Sequence, residues 1–427
     1  MVDVGQAIAQ AHRDEWARVV ASVARRFGDL DVAEEAAAEA FATAVARWPL
    51  DGVPPSPGAW LTITATRKAI DRIRRESMRD HKQQTAQMMI DDERPASFVT
   101  SEIVDDGDVI FDERLRLIFT CCHPALSMEN RVALTLRMVG GLTAPEIGRA
   151  FLVQETAMGK RITRAKDKIK AARIPYRVPT TEDLPGRVAG VLSVLYLIFN
   201  EGYLATASGT DPIRQELTAE AIRLARLIRA LMPGDGEVAG LLALMLLIEA
   251  RRPARISPSG ELVPLAEQDR GTWDAALIAE GHRLVRERLA SGEAPGRYQI
   301  HAAINAVHTS APQARDTEWW QVVALYDQLV RLDPSPIVAL NRAIAVAEVD
   351  GPGAALPVVD ALEPALSGYH AYHAARADLL RRLGRTDEAR ASYDAAIALA
   401  GNRAESAFLR RRRDELPTAG GGYDGAC

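Results

Sequence analysis

Cysteine is scarce in this sequence of 427 residues, which contains only three. Two of them are adjacent, at Cys121 and Cys122, so they cannot build a disulfide framework, and a reducing cytosol fits best. The N-terminus shows no basic-then-apolar signal pattern. The longest apolar runs, residues 188–199 and 238–248, are shorter than the roughly 20 residues needed to span a bilayer. These absences predict a cytoplasmic protein without a membrane segment, in which the apolar runs are buried core helices.

Sequence motifs for metal binding and catalysis are also missing. Cys121, Cys122 and His123 offer zinc-ligand residue types, but adjacent helical positions point about 100° apart and there is no CxxC partner. A packed helix end is the better interpretation. His301, Asn305 and His308 share one predicted helical face without carboxylates, which favours core or groove lining. With no nucleophile elbow, phosphate loop or zinc-hydrolase motif, we expect no metal, no cofactor and no enzymatic activity.

The composition favours helices. Aromatic residues make up 5% of the chain, while Ala, Leu and Arg are abundant, and apolar residues recur with helical spacing. We therefore predict an all-α protein of several domains. Prolines, glycines and a run of nine acids between residues 91 and 113 mark the boundaries. The predicted segments are a helical domain at 10–80, an acidic linker at 81–110, a second helical domain at 111–177, a C-terminal helical domain at 185–416 and a disordered tail at 417–427.

The C-terminal part contains a degenerate repeat. Tyr326 and Tyr393 are 67 residues apart, close to twice the 34-residue period of tetratricopeptide helix pairs. Small residues and an aromatic occur around the second tyrosine where that repeat places its helix crossing. Because a helix pair with one apolar face is not stable alone, we expect stacked, tetratricopeptide-like pairs.

Residues 143–173 combine a helix-turn-helix pattern with a high density of positive charge. From Lys160 to Arg173 there are seven Lys or Arg and one acid, although the formal net charge of the chain is -5. A capping box at Thr143 begins the first helix. Apolar residues of the second helix form one predicted buried stripe: Met158, Ile162, Ala165 and Ile169. The pattern predicts a helix-turn-helix whose second helix enters a DNA major groove, and the alternative is a solvated basic helix packed on a bundle.

Two further helical stretches precede it. Residues 32–41, VAEEAAAEAF, give an acidic face. After a loop at 49–58, the stretch from Trp60 to Lys82 is basic and begins with an aromatic residue, which suits stacking on unpaired bases and tracking of a single-stranded backbone. Taken alone, the first could be a solvated face and the second an amphipathic helix anchored by a buried tryptophan.

The order of these elements resembles a bacterial sigma-70 family factor of the extracytoplasmic-function (ECF) type. VAEEAAAEAF is similar to the region 2.2 motif DAEDLVQEVF, and AWLTITATRKAIDRIRRE to the region 2.3 and 2.4 pattern AWL..IARN.A.D..RR, with Lys68 in place of the usual Asn. GLTAPEIGRAF and ETAMGKRITRAKDKI resemble region 4. The C-terminal helices resemble the ECF group with a long extension, which is thought to take part in regulation.

The resemblance implies a promoter-specificity subunit that binds core RNA polymerase and promoter DNA. Region 2 would dock on the clamp helices of the β′ subunit through Glu34, Glu35, Glu39 and Phe41, and region 4 would lie near the β flap. The -10 element would be bound by Trp60, Arg67, Lys68, Arg72, Arg74 and Arg75. The -35 element would be read by Thr156, Gly159, Lys160, Arg161, Thr163, Arg164 and Lys166.

Two other classes of protein remain as alternatives. One is a stand-alone helix-turn-helix regulator whose repeats bind a ligand or a protein, which leaves the acidic helix and the AWL...RR stretch without a role. The other is a repeat scaffold with an incidental basic helix. For the C-terminal domain we expect an intramolecular or protein partner, because it is acidic where the two N-terminal helices are basic.

Overall fold

The computed structural model describes residues 4–87, 113–151, 153–203, 215–257, 261–401 and 403–417. Within these ranges the chain forms nineteen α-helices, and its one extended pairing is an isolated bridge between Ile256 and Leu262. The predicted all-α class is confirmed. The chain divides into two compact units, residues 1–197 and 198–427, and the division falls inside a helix.

The first unit begins with three long helices: α1 (Val4–Phe27), α2 (Leu30–Asp51) and α3 (Pro57–Gln87). Asp29 caps α2, since its carboxylate accepts hydrogen bonds from the backbone N–H groups of Asp31 (2.8 Å) and Val32 (3.2 Å). Small residues on α2 let its neighbours approach closely, and the buried ones are Ala33, Ala36, Ala37, Ala40 and Ala44.

Helix α3 is longer than predicted. The sequence predicted the end of the first helical domain at residue 80 and a linker from residue 81, but α3 continues to Gln87. Residues 79–87 contain no Pro or Gly and several good helix formers, so nothing local stops the helix. The rest of the predicted acidic linker, from residue 88 onward, lies outside the described residues.

The unit continues with α4 (Glu113–Cys121), α5 (Met128–Met138), α6 (Ala144–Ala150), α7 (Glu155–Ala171) and the start of α8 (Leu184–Tyr203). Cys121 and Cys122 are buried at the end of α4, and the Sγ of Cys122 lies 3.4 Å from the Oγ1 of Thr135. Burial raises the pKa of the Cys122 thiol to about 11, with smaller opposing effects from Thr135 and nearby arginines. The interpretation of this cysteine pair as a packed helix end is confirmed.

The second unit continues from the end of α8 with eleven helices in the described ranges. They are α9 (Gln215–Leu231), α10 (Gly236–Glu249), α11 (Ala275–Ala290), α12 (Arg297–Ser310), α13 (Trp319–Leu332), α14 (Pro336–Val349), α15 (Pro352–Asp360), α16 (Glu363–Leu366), α17 (His370–Arg382), α18 (Thr386–Leu399) and α19 (Arg403–Asp414). Helix α10 is buried on nearly all sides. Gly240 lets α12 lie against it, because an added Cβ would be 2.6 Å from the backbone nitrogen of Gln299.

Later helices of this unit pack in chain order. Helices α14 and α17 begin 34 residues apart, each followed by a partner helix, which matches the predicted repeat period. Residues of α12, α13 and α14 share one core cluster, and residues of α14 to α19 share the next. Tyr326 and Tyr393 both lie on the second helix of a pair, and Tyr393 is buried. The apolar faces of neighbouring pairs therefore cover one another, as stacked repeats require.

Candidate nucleic-acid and polymerase interfaces

Helices α6 and α7 form the helix-turn-helix unit. The Thr143 Oγ1 and backbone N–H both donate to the Glu146 carboxylate, at 2.7 and 2.6 Å, and the Glu146 N–H returns a bond to Thr143. The turn depends on Gly148, since a Cβ there would lie 2.8 Å from the carbonyl oxygen of Val153. The predicted capping box and turn are therefore present, and they fix the direction in which α7 begins.

Helix α7 has one buried edge and a largely basic exposed face. The buried residues are the predicted ones, Met158, Ile162, Ala165 and Ile169. Of the residues predicted to read the -35 element, Thr156, Lys160, Thr163 and Arg164 are exposed, while Gly159 and Arg161 are half-buried. Lys160 and Arg164 make no ion pair within the described part of the chain. The first two turns of α7 thus present polar and cationic side chains to solvent.

Lys166 differs from these residues. Its side chain is 10% exposed, and its ammonium pairs with Asp31 on α2 (2.8 Å) and with Glu34 on α2. One turn further along α7, Lys170 lies 3.2 Å from the carboxylate of Asp29. The inner edge of α7 is therefore bound to the start of α2, a contact between residues about 135 positions apart.

Glu34 is the centre of this contact. The residue is 9% exposed, and its carboxylate lies between the Lys166 ammonium and the Arg137 guanidinium of α5, whose Nε donates to Oε1 at 2.5 Å. Arg137 also donates to the carbonyl oxygen of Leu142 (2.9 Å). A buried carboxylate between two cations is stabilised by charge-assisted hydrogen bonds, which are among the stronger polar contacts in proteins. We call the α2 contact with α5 and α7 the seam.

Electrostatic effects at the edge of the seam agree with this geometry. Burial alone would raise the pKa of Asp29, but the N–H of Val32 and the Lys170 ammonium outweigh it, so the pKa lies below its usual value. The carboxylate of Asp29 in turn raises the pKa of Lys170. Both groups are therefore held in their charged forms.

Helix α1 adds further contacts to the same closed arrangement. The Trp16 indole donates to the carbonyl oxygen of Met138 (3.1 Å), Arg25 pairs with Glu113 (2.8 Å), and the Tyr176 hydroxyl donates to the carbonyl oxygen of Ala21 (3.2 Å). These partners, together with Asp31 and Arg137, were not singled out from the sequence. No signal in the chain could have identified them, because each is a single polar residue whose partner is distant in sequence.

The acidic helix α2 divides its predicted polymerase contacts between two environments. Glu35 is exposed and Glu39 is half-buried, on a face that they share with Ala38, Ala42 and Val45. Phe41 is 6% exposed and packs against the rings of His12 (4.9 Å) and Trp16 (5.7 Å). In this arrangement Glu35 and Glu39 lie on the outer face of α2, while Glu34 lies in the seam and Phe41 lies in the core.

The basic helix α3 lies against this acidic face. Lys68 is 3.5 Å from Glu39, and Arg72 pairs with Glu35 and, at 2.8 Å, with Glu76. The predicted -10 contacts Arg67, Arg74 and Arg75 are exposed. Trp60 is half-buried, with its ring 5.6 Å from that of Trp48, so it both anchors the helix and keeps an accessible edge.

Other residues with metal-ligand chemistry do not form a site. No group of three or more His, Cys, Asp or Glu side chains able to hold a metal ion occurs among the described residues. The His308 ring is edge-on to Trp319 at 5.1 Å and lines a cavity with it in the second unit, while Asn305 accepts a hydrogen bond from Arg251. In the described ranges, no helix is both long enough and apolar enough to cross a bilayer.

Comparisons with known proteins match both parts of the chain. The family model for sigma-70 region 2 matches residues 13–79, and a family of unknown function, DUF6596, matches residues 187–289. An uncharacterized protein of Rhizobium meliloti (strain 1021) is 43% identical over 402 residues, which cover 93% of each chain. No solved structure matches the chain.

Two further relatives carry names of ECF RNA polymerase sigma factors. The ECF RNA polymerase sigma factor SigK of Mycobacterium ulcerans (strain Agy99) is 28% identical over 173 residues, covering 37% of this chain and 85% of that protein. The probable ECF RNA polymerase sigma factor SigI of Mycobacterium tuberculosis (strain ATCC 25618 / H37Rv) is 28% identical over 172 residues, covering 40% of this chain and 57% of that protein.

A region 2 bundle followed by a helix-turn-helix, with these matches, defines a sigma-70 type transcription initiation factor. Within that class, the chain belongs to the ECF type, in the group with a long C-terminal extension, and it shares a family with the Rhizobium protein over nearly its whole length.

Proposed function

We propose that this protein binds core RNA polymerase and directs initiation at promoters defined by a -35 and a -10 element, in the cytoplasm and with no chemistry of its own. The observation that carries the proposal is the exposed basic face of α7, in a helix-turn-helix that follows a region 2 bundle in the chain. The relatives named as ECF RNA polymerase sigma factors support the same role.

For the -35 element, the first two turns of α7 supply the reading residues. Lys160 and Arg164 are exposed cations near the start of the helix, suited to guanine edges or to phosphate, and Thr156 and Thr163 add hydroxyl groups. Cations that neutralise phosphates release counterions, so this binding weakens as salt rises.

For the -10 element, the end of α2, the loop that follows it and helix α3 form the binding surface. The loop predicted at 49–58 is shorter in the structure, because α2 continues through Pro49 to Asp51 and α3 begins at Pro57. Leu50, Val53 and Ile63 are exposed apolar side chains on or beside this loop, and Arg67, Arg74 and Arg75 are exposed along α3. Apolar and aromatic surface next to arginines suits unstacked bases and a single-stranded backbone. The surface therefore lowers the cost of melting a few base pairs.

For core polymerase, the exposed face of α2 is the proposed docking surface. It presents Glu35 and Glu39 beside small or apolar residues, of which Val45 is 57% exposed. A mixed acidic and apolar stripe on one helix fits a basic helical partner such as the β′ clamp helices. The β flap is the proposed partner of region 4.

The seam must open for all the predicted contacts to form. Glu34 and Lys166, one predicted for polymerase and one for DNA, are each other's partner, and neither can bind a large ligand while they are paired. We therefore infer that α2 separates from α5 and α7 in the initiation complex, and that polymerase stabilises the open form.

The C-terminal helices are proposed to regulate or stabilise the sigma regions. The Rhizobium relative aligns over 93% of both chains, so the extension and the sigma regions occur together there as well. Truncation after Tyr203, which keeps α8 whole, tests this role. We expect altered initiation, and unchanged activity would remove the idea.

Run-off transcription tests the main proposal. Purified bacterial core polymerase, this protein and a genomic promoter library are combined, and each protein is also assayed alone. We expect start sites that share -35 and -10 elements only when both proteins are present. Sequence-specific DNA retention by this protein alone, without initiation, would instead favour the stand-alone regulator.

A further inference from the structure

Three arginines in the second unit lie close together, and none of them forms an ion pair with a carboxylate among the described residues. Arg251 follows α10, Arg255 follows the short turn after it, and Arg270 begins the segment that leads to α11. Among the described residues, no carboxylate oxygen lies within 4.0 Å of any of the three guanidinium groups. The neighbouring Arg252, by contrast, pairs with Glu249 at 2.6 Å.

The contacts of these three arginines are with neutral groups. Arg251 donates to the Oδ1 of Asn305 (2.9 Å), and Arg255 donates to the hydroxyl of Tyr203 and lies 3.8 Å from the centre of its ring. Arg270 donates to the carbonyl oxygens of His308 (2.6 Å) and Ala311 (2.7 Å). The Nε atom of each arginine is buried and has no hydrogen-bond partner. The side chains are thus held in place, but their charge is not neutralised.

Nearby positive charges lower the pKa of two groups in this cluster, Arg251 and His308. Burial lowers the pKa of Arg251, and Arg255 and Arg270 lower it further, although Tyr203 opposes them. Burial, Arg251 and Arg270 together lower the pKa of His308 to about 4. The three arginines are half-buried, and like charges that are partly removed from water without an ion pair are costly, so an anion that binds there stabilises the folded chain.

A cavity lies against two of the arginines. It has a volume of about 270 Å³, and its walls include Tyr203, Arg251, Arg255, Gln268 and Phe408. The Gln268 Oε1 is buried without a partner, while its amide nitrogen donates to the carbonyl oxygen of Val263 (3.0 Å). The cavity therefore offers guanidinium donors for an anionic group, one unused acceptor for a hydroxyl or amine, and an aromatic wall.

Among the described residues, the acids near this cavity form no ion pair with its arginines. Asp316 raises the pKa of Arg270 against the larger effect of burial, but it lies beyond ion-pair distance. Glu261 and Glu267 belong to the same loop region, but both are directed at Arg411, at 3.9 and 3.8 Å. A second cavity of about 830 Å³ shares the wall residues Pro264, Leu265 and Phe408 with the first and contains Arg270 and His308.

We propose that this cavity of the C-terminal extension binds a small organic dianion, a phosphate monoester or a dicarboxylate that also carries a hydroxyl or amine group. Arg251 and Arg255 hold the anionic group, and Gln268 accepts from the neutral donor. Phe408 and the edge of the Tyr203 ring, whose face Arg255 covers, pack against the body of the ligand. The extension is then a metabolite-responsive part of the protein, independent of which promoter the sigma regions read.

The test measures the thermal unfolding of the full chain with glucose 6-phosphate, with malate and with sodium chloride at the same ionic strength. We expect one of the two dianions to raise the unfolding temperature saturably by several degrees, since a ligand that binds only the folded state stabilises it as concentration exceeds Kd. The compound that gives the shift shows whether the cavity prefers a phosphate monoester or a dicarboxylate. A failure of transcription does not affect this measurement.

Two variants make the test specific. Arg255→Gln should weaken dianion binding at least about 10-fold, a loss of about 1.4 kcal/mol, whereas the matched control Arg252→Gln, whose partner is Glu249, should bind as the unchanged chain does. Arg255→Lys should bind less tightly than the unchanged chain because it lacks the planar fork. If neither dianion exceeds the chloride arm, or if Arg255→Gln responds as strongly as Arg252→Gln, the proposal is wrong.

Discussion

The two edges of helix α7 carry the same kind of charge in opposite situations. On the outer edge, Lys160 and Arg164 are exposed and make no ion pair in the part of the chain that the structure describes. On the inner edge, Lys166 and Lys170 pair with carboxylates of α2. One helix therefore carries two kinds of cation: exposed ones without an ion pair in the described chain, and ones that pair with carboxylates of the protein itself. The number of basic residues in the sequence does not distinguish the two kinds.

Removing the outer cations should have the largest effect. Lys160→Ala with Arg164→Ala deletes two contacts near base edges, each worth about 1–3 kcal/mol, so we expect binding of holoenzyme to -35 promoters to fall on the order of 100-fold. Polymerase binding should persist, because neither residue touches α2. Competitive binding to promoter and scrambled DNA measures this. The control, Lys168→Ala with Arg173→Ala, removes the same charge nearer the end of α7 and should reduce promoter affinity far less. An equal loss of affinity in both double variants would mean that α7 binds only phosphate.

Reversing the exposed acids of α2 should come next. Glu35→Arg with Glu39→Arg presents like charges to a basic partner, and we expect affinity for core polymerase to fall roughly 10-fold or more. Fluorescence titration with labelled core enzyme measures the change. Asp51→Arg, at the exposed end of the same helix, serves as the control. Undiminished affinity in the double variant would show that polymerase binds elsewhere.

Weakening the seam should have a smaller effect, and it should increase the population of the open form. Arg137→Gln removes one of the two cations from Glu34 without changing a predicted polymerase or DNA contact, so the open population should rise about 10-fold, or about 1.4 kcal/mol. Energy transfer between fluorophores at two exposed positions, Ala46 and Ala172, reports the opening. Arg18→Gln, in an exposed pair with Glu15, should leave it unchanged. If both variants stay equally closed, the ion pairs do not hold the seam.

The smallest effect concerns pH at the edge of the seam. The pKa of Asp29 is below its unfolded value, so its contribution to stability is present above the unfolded pKa, near ~4, and is lost as pH falls through the folded pKa. Lys170→Ala should raise the pKa of Asp29 and cost less than about 1 kcal/mol, since the lysine is exposed. Carboxyl NMR titration measures it. No movement of the Asp29 pKa would show that Lys170 is not its partner in solution.

Local features of the helix-turn-helix could be predicted from the sequence. The capping box at Thr143 and the stripe from Met158 to Ile169 depend on residues three to four positions apart, and helical geometry fixes what such residues share. The packed end of α4 at the two cysteines was predictable for the same reason. The class of protein followed from the order of such local patterns.

Tertiary pairing could not be predicted. Glu34 and Lys166 are 132 residues apart, and nothing in either segment sets a register between α2 and α7. The same holds for Phe41. Its spacing from other apolar residues fits an exposed aromatic on a docking face as well as one that packs against Trp16. Arg251, Arg255 and Arg270 appear in the sequence as separate residues of a loop region, and only the fold shows that they lie together without an ion pair to any described carboxylate.

If Lys166 contacts the -35 element as proposed, the seam makes α2 a tethered competitor of DNA. The carboxylates of α2 bind Lys166 at the high effective concentration that a shared chain imposes, so DNA would have to displace them. In the proposed mechanism, polymerase removes α2 from that competition when it binds Glu34 and Glu35. By thermodynamic reciprocity, a promoter that captures α7 must then raise the affinity for polymerase by the same factor. In this mechanism promoter DNA and polymerase each raise the affinity of the chain for the other, and the buried Glu34 couples the two binding events.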